Sequence, residues 1–163
     1  MPNVLVIDDA DEVRVVILET LAKFGFAARE ARDGTTGIQL ALERPPDLII
    51  CDVRMPGLDG YQTLSAMRDH AEIANIPFIF LTAAADKHEV RRGMSSGADD
   101  YLTKPFTPEE LMDAVTTRLA RQSEIKFAAY KRAERIRESI TELFTKEISS
   151  LSHGHGTPKL IPH

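Results

Sequence analysis

Five side chains able to do chemistry stand at the ends of short apolar runs. Asp8 and Asp9 follow "NVLVI", Asp52 follows "LIIC", Thr82 follows "IPFIFL", and Lys104 follows "DYLT". A carboxylate at the end of a buried strand costs on the order of several kcal/mol unless it is paired or bound. Three carboxylates within a few ångströms repel one another, and they stay ionised together only beside a cation. A hard divalent ion such as Mg²⁺, held by carboxylates, a carbonyl and waters, meets that need. With an ammonium and a hydroxyl on the far side of Asp52, the set suits phosphoryl transfer onto a carboxylate nucleophile. Taken one at a time, the residues have plainer uses: Asp8 or Asp9 as a helix cap, Asp52 as a turn residue, Thr82 as a strand residue, Lys104 as a solvated charge. Their coincidence at corresponding strand ends favours the site.

The elements that must position them are legible as alternating periods. Strands are predicted at 3–8, 25–30, 47–52, 76–82 and 98–103, where short apolar runs are bounded by turn signals. Between and after them, helical spacing links Val13, Val16, Ile17, Leu21 and Phe24; Ile38, Leu40 and Ala41; Leu64 and Met67; Val90 and Met94; and Leu111, Val115 and Leu119. Five strand–helix alternations with nearly continuous apolar strands imply an α/β fold, a parallel sheet covered on both faces. Asp11, Asp33, Asp59 and Thr107-Pro108 stand where helix caps are expected. In such sheets ligands bind beyond the carboxyl ends of the strands, the rim that carries the five polar residues.

Composition sets the outer bounds. With 163 residues and 43% apolar content there is room for one core and an appendage. No apolar run of about 18 residues could span a bilayer, and the first residues do not read as a secretory signal, so a cytoplasmic location without membrane contact is expected. The single cysteine, Cys51, lies inside a strand run and is read as core. Residues 1–121 carry 13 Lys/Arg against 20 Asp/Glu, and residues 122–163 carry 7 against 5. Neither part has a one-signed basic stripe, so no direct nucleic-acid binding is expected.

The segments "VLVIDD", "LIICDVRMPGLDGY", "IFLTA" and "GADDYLTKPF" together resemble the signature of the receiver domain of two-component response regulators, over residues 3 to about 121. The resemblance implies a flavodoxin-like (βα)5 fold with strand order 2-1-3-4-5. It further implies that Asp52 accepts a phosphoryl group from the phosphohistidine of a sensor histidine kinase or phosphotransfer protein. Asp9, Asp52 and the backbone carbonyl of Arg54 would then hold Mg²⁺ directly, with Asp8 acting through water. Thr82 and the backbone of Ala83 would bond phosphoryl oxygens, Lys104 would pair with another, and the Lys104–Pro105 bond would be cis. Phosphorylation would draw Thr82 inward and let Tyr101 swing from exposed to buried. The readout would be the surface of the fourth helix, fifth strand and fifth helix, where Lys87, Arg91, Asp99, Asp100, Arg118 and Arg121 offer mixed charges for self-pairing. Arg54 and Ala84 hold the positions that tune lifetime in this family, and neither residue suits orienting a water, so slow self-dephosphorylation is expected.

Two other readings compete. Haloacid-dehalogenase-like phosphatases also use a strand-end Asp with Thr/Ser and Lys, but they resemble D-x-D on the first strand, whereas here Arg54 stands two beyond Asp52 on the third. A pseudo-receiver would keep the fold as a binding or dimerisation module without phosphorylation; the complete set Asp8, Asp9, Asp52, Thr82 and Lys104 argues against it. Residues 122–151 lack Gly and Pro and form the sequence's longest predicted helix, in which Ala129, Ala133, Ile136, Ile140, Leu143 and Glu147 or Ile148 approach a heptad seam. A signalling or homodimerising coil is favoured over a helix packed on its own domain. Residues 152–163 read as a flexible tail, in which His153, Gly154 and His155 are a weak transition-metal motif. The closing "IPH" faintly resembles the phosphoacceptor motif of hybrid histidine kinases, which would make His163 an acceptor.

Overall fold

Three of the five strands, NVLVI, LIICD and FIFLT, are buried along their length, and a parallel sheet covered on both faces satisfies such runs. The computed structural model describes residues 1–83 and 98–153 and contains this sheet. Its elements are β1 (Asn3–Ile7), α1 (Asp11–Lys23), β2 (Ala27–Ala31), α2 (Gly34–Glu43), β3 (Leu48–Asp52), α3 (Gly60–Arg68), β4 (Phe78–Thr82), β5 (Asp100–Thr103) and α4 (Pro108–His153). All pairings are parallel and the strand order is β2-β1-β3-β4-β5, as expected. The predicted fourth helix, with Val90 and Met94, lies outside the described residues, so the predicted fifth helix is α4 here.

Side chains alternate across the strands and build two cores. Leu5, Ile7, Ile49, Cys51, Phe78 and Phe80 pack with Ala41 of α2 and Tyr61, Leu64 and Met67 of α3. Val4, Val6, Leu48, Ile50, Ile79 and Leu81 pack with Ile17 and Leu21 of α1 and Leu111, Met112 and Val115 of α4. Each fully buried side chain of this size contributes roughly 1.5–3 kcal/mol. Phe80 is the hub of the first core, with Tyr61, Phe78 and Tyr101 rings at 4.9, 5.1 and 5.9 Å. Cys51 is fully buried, as read from its strand.

Several local expectations need correcting. Asp11 is the first residue of α1, and the cap position is Ala10, which makes no side-chain cap bond. Asp33 does cap α2, accepting from the Thr36 N–H at 2.7 Å, and Asp59 and Gln62 form a capping box on α3. Thr107 Oγ1 accepts from the Glu110 N–H at 3.1 Å. The second strand starts two residues late because α1 closes through Gly25 at φ +83, with the Gly25 N–H donated to the Ala22 carbonyl and that of Phe26 to Leu21. That is the Schellman pattern, which needs the left-handed conformation glycine tolerates. On α1, Val16 and Phe24 are 51% and 56% exposed, whereas Arg14 is buried.

The predicted fifth helix and the predicted C-terminal helix are one uninterrupted helix of 46 residues. Contacts divide the chain within this helix into units Met1–Gln122 and Ser123–His163. No helix among the described residues is long and apolar enough to cross a membrane. In the second unit, Ile125, Ile136, Ile140, Leu143, Phe144 and Leu151 are 55–67% exposed. Ser152 and His153, expected to begin the mobile tail, close α4 instead, while the side chain of His153 and residues 154–163, with His155 and His163, lie outside the described residues.

One glycine fixes how closely α3 approaches the end of β3. The Gly60 N–H is donated to the Val53 carbonyl at 2.8 Å, and a Cβ there would stand 2.5 Å from the Asp52 carbonyl oxygen and 2.9 Å from Val53 Cα. These are backbone atoms that cannot rotate away. Gly60→Ala is therefore expected to destabilise the first unit by about 1–3 kcal/mol, the usual range for overpacking. Urea unfolding of the variant at unchanged midpoint would contradict this placement.

Candidate functional site

The carboxyl edge of the sheet gathers the acidic residues. β1 ends at Ile7, and Asp8 continues it by donating its N–H to the Ala31 carbonyl of β2 at 3.1 Å. Its side chain is fully buried: Oδ1 accepts from the Ala10 N–H at 2.9 Å, and Oδ2 accepts from Lys104 Nζ at 2.9 Å. Asp9, next along the chain, is exposed. Asp52, the last residue of β3, is 7% exposed, and its Oδ1 lies 3.4 Å from Lys104 Nζ. One oxygen from each of Asp8, Asp9 and Asp52 falls within 4.8 Å of the others.

Lys104 reaches this cluster from the loop after β5. Its backbone N–H is donated to the Thr82 carbonyl at 2.7 Å, and the Lys104–Pro105 bond is cis. Burial alone would lower its pKa, but the hydrogen bond to Asp8 and the charges of Asp52 and Asp8 outweigh that, and the net shift is upward. Asp52 moves the opposite way from a paired acid. Burial, then the Asp8 charge, push its pKa up to about 6, against the partial relief from Lys104. One ammonium shared by two carboxylates leaves the pair under-neutralised. Because the folded-state pKa exceeds the unfolded one, ionised Asp52 opposes folding: the effect is absent below the unfolded pKa and complete once pH rises past about 6.

A divalent cation fits this donor set, since the carboxylate oxygens already converge and carry more negative charge than Lys104 cancels. Arg54, whose carbonyl is the expected fourth donor, is exposed in the loop after β3. Thr82 is 1% exposed at the end of β4, on the sheet face that also carries Phe80 and Tyr101; Ala83 after it is exposed. Tyr101 is half-buried against Phe80. Ala84, Lys87 and Arg91 lie outside the described residues. The charges expected to form a self-pairing face are partly engaged within the unit. Asp99 accepts from the Phe78 N–H at 2.7 Å and stands 3.8 Å from Arg68, and Arg118 stands 3.8 Å from Asp100.

Sequence reading missed two contributors. Gly60 was visible only as the residue after a cap, and nothing local signals a close backbone approach. Arg14 had a signal: with Ile17 and Leu21 it follows steps of three and four, so it falls on the buried stripe of α1.

Comparison with known proteins gives this geometry a family. The chain is 38% identical over 129 residues to the DNA-binding dual master transcriptional regulator RpaA of Synechocystis sp., covering 79% of this chain and 54% of that protein. It is 35% identical over 121 residues to the phosphate regulon transcriptional regulatory protein PhoB of Klebsiella pneumoniae, covering 74% and 53%. The chain thus spans about half the length of the curated relatives it matches. Among solved structures, a putative response regulator from Chloroflexus aurantiacus J-10-fl superposes with a TM-score of 0.71 at 37% identity, over 73% of this chain and 98% of that one. The signal receiver domain of a signal transduction histidine kinase from Syntrophus aciditrophicus gives 0.69 at 30% identity, over 74% and 91%. The family model for the response regulator receiver domain matches residues 4–116, which take in β1 to β5 and the start of α4, and the chain belongs to that family.

Proposed function

We propose that this chain is a phosphorylation-dependent switch of a two-component phosphorelay, with Asp52 as the phosphoacceptor. The observation that carries the reading is the state of Asp52: a buried strand-end carboxylate with its pKa raised to about 6, beside Asp8, Asp9 and Lys104. An Asp52 oxygen attacks the phosphorus of a phosphohistidine on a sensor histidine kinase or phosphotransfer protein. The O–P bond forms as the P–N bond breaks, and the departing imidazole keeps the electron pair. Mg²⁺, held by Asp9, Asp52 and the Arg54 carbonyl with Asp8 through water, would neutralise charge on the carboxylates and the transferring oxygens. Lys104 exchanges part of its pairing with Asp8 for a phosphoryl oxygen, while Thr82 and the Ala83 N–H bond the others. Thr82 and Tyr101 share one sheet face, which supports a coupled inward movement of the two. The only turnover in this reading is self-dephosphorylation, kept slow by Arg54 and Ala84. Direct nucleic-acid contact is not part of it; the DNA binding named for RpaA belongs to a protein about twice the matched length.

The second unit supplies the dimer. Residues 123–153 of α4 run for about 46 Å at 1.5 Å per residue. Their apolar stripe, from Ile125 to Leu151, holds six large side chains left 55–67% exposed. Two such stripes face to face would remove on the order of 800 Å² per partner, the size of a stable interface. A second copy of this chain, presenting the same stripe, is the proposed occupant.

Two measurements test these readings. Incubation with Mg²⁺ and a small phosphodonor is expected to add one phosphoryl mass to the wild type, stable for minutes, and none to Asp52→Asn. Absence of the adduct in the wild type would point instead to a pseudo-receiver. By light scattering the wild type is expected to be dimeric at tens of micromolar and Ile140→Asp monomeric; a monomeric wild type would refute the helix pairing.

A further inference from the structure

Arg14 is the one strongly basic residue in the buried stripe of α1, at 6% exposure, and one of its bonds reaches the site. Nη1 donates to the backbone carbonyl of Asp8 at 2.6 Å. The other guanidinium nitrogens are held from outside: Nε donates to Glu30 Oε2 of β2 at 3.3 Å, and Nη2 to Asp11 Oδ1. Burying an arginine for a surface ion pair is unfavourable, since Asp11 and Glu30 are 80% and 50% exposed and could pair with any solvated cation. What burial gains is the contact with Asp8.

That contact controls more than one atom. A peptide unit is planar, so fixing the Asp8 carbonyl oxygen fixes the plane that also carries the nitrogen and Cα of Asp9. The Asp8 carboxylate is already held at both oxygens, by the Ala10 N–H and Lys104. Arg14 adds a constraint on the peptide that leads to the exposed Asp9, at the point where the chain leaves β1 and turns into α1.

We infer that Arg14 is a positioning residue for the divalent-cation site, clamping the Asp8–Asp9 peptide so that the three carboxylates converge before any ion arrives. The inference rests on the proposed cation site of Asp8, Asp9 and Asp52. Groups that orient metal ligands typically account for 10- to 100-fold in metal affinity when removed.

Calorimetric titration of the full chain with MgCl₂ alone, without phosphodonor, tests this. Arg14→Met is expected to weaken Mg²⁺ binding about 10-fold or more. Arg14→Lys, which can reach the carbonyl but not form the fork, is expected to recover part of the loss, and Glu30→Gln to weaken binding less than Arg14→Met. Thr20→Val is the stability control: Thr20 is a buried residue of α1 whose hydroxyl is donated within its own helix, to the Val16 carbonyl. It should lower the melting temperature and leave Mg²⁺ affinity unchanged. Should Arg14→Met fail to fold, Glu30→Gln and Arg14→Lys carry the test. Unchanged affinity in folded Arg14 and Glu30 variants, or an equal loss in Thr20→Val, would overturn the positioning role and leave the cation site standing. A wild type that binds no Mg²⁺ would overturn both.

Discussion

Two carboxylates sharing one ammonium is the constraint from which the rest of the site follows. Lys104 sits 2.9 Å from Asp8 and 3.4 Å from Asp52, so among the described residues the two acids share one ammonium. Burial first, and then the charge of Asp8, raise the pKa of Asp52 to about 6. In water such a cluster would relax by moving apart. Here it cannot, because each member is fixed by backbone: Asp8 by the ladder to Ala31 and by Arg14, Asp52 by β3 and the close approach of Gly60, and Lys104 by the bond from its N–H to Thr82. The sheet holds repelling charges together, and a bound cation would relieve that repulsion.

The same geometry connects the site to the two faces of the sheet. Asp8 and Asp52 continue the alternation that puts Val4, Val6, Leu48 and Ile50 on the side of α1 and α4. Thr82 continues the opposite one, with Phe80 and Tyr101 on the side of α2 and α3. Asp52 is joined by Lys104 to the loop that leads into α4, and Thr82 belongs to the opposite face with the aromatic cluster around Phe80. The start of α4 belongs to the core of the first unit, through Leu111, Met112 and Val115, while the same helix continues without a break into the second unit.

Much of this was legible in the sequence because it is set by period and punctuation. Apolar runs ending in Asp or Thr marked three strands and the edge where Asp8, Asp9, Asp52 and Lys104 meet, and the order 2-1-3-4-5 followed from the resemblance those segments carry. What escaped was set by tertiary fit. Val16 and Phe24 follow the helical spacing of α1 but are exposed, because the buried stripe runs through Arg14, Ile17, Thr20 and Leu21 instead. A pattern that counts only apolar residues will place an arginine outside. Asp11 looks like a cap, yet the bend before α1 is held by the Asp8 carboxylate on the Ala10 N–H, a bond that depends on where β1 stops. The continuity of α4 through residue 122 agrees with the absence of Gly and Pro from residues 109–153; what has no local mark is where the first unit ends along that helix.

Titration of the Asp52 side-chain carboxyl by carbon-13 NMR tests the shared-charge account most directly. Without divalent cation the midpoint should lie near 6, and addition of Mg²⁺ should move it down, as the cation replaces the missing positive charge. A midpoint in the ordinary aspartate range that does not respond to Mg²⁺ would contradict the account.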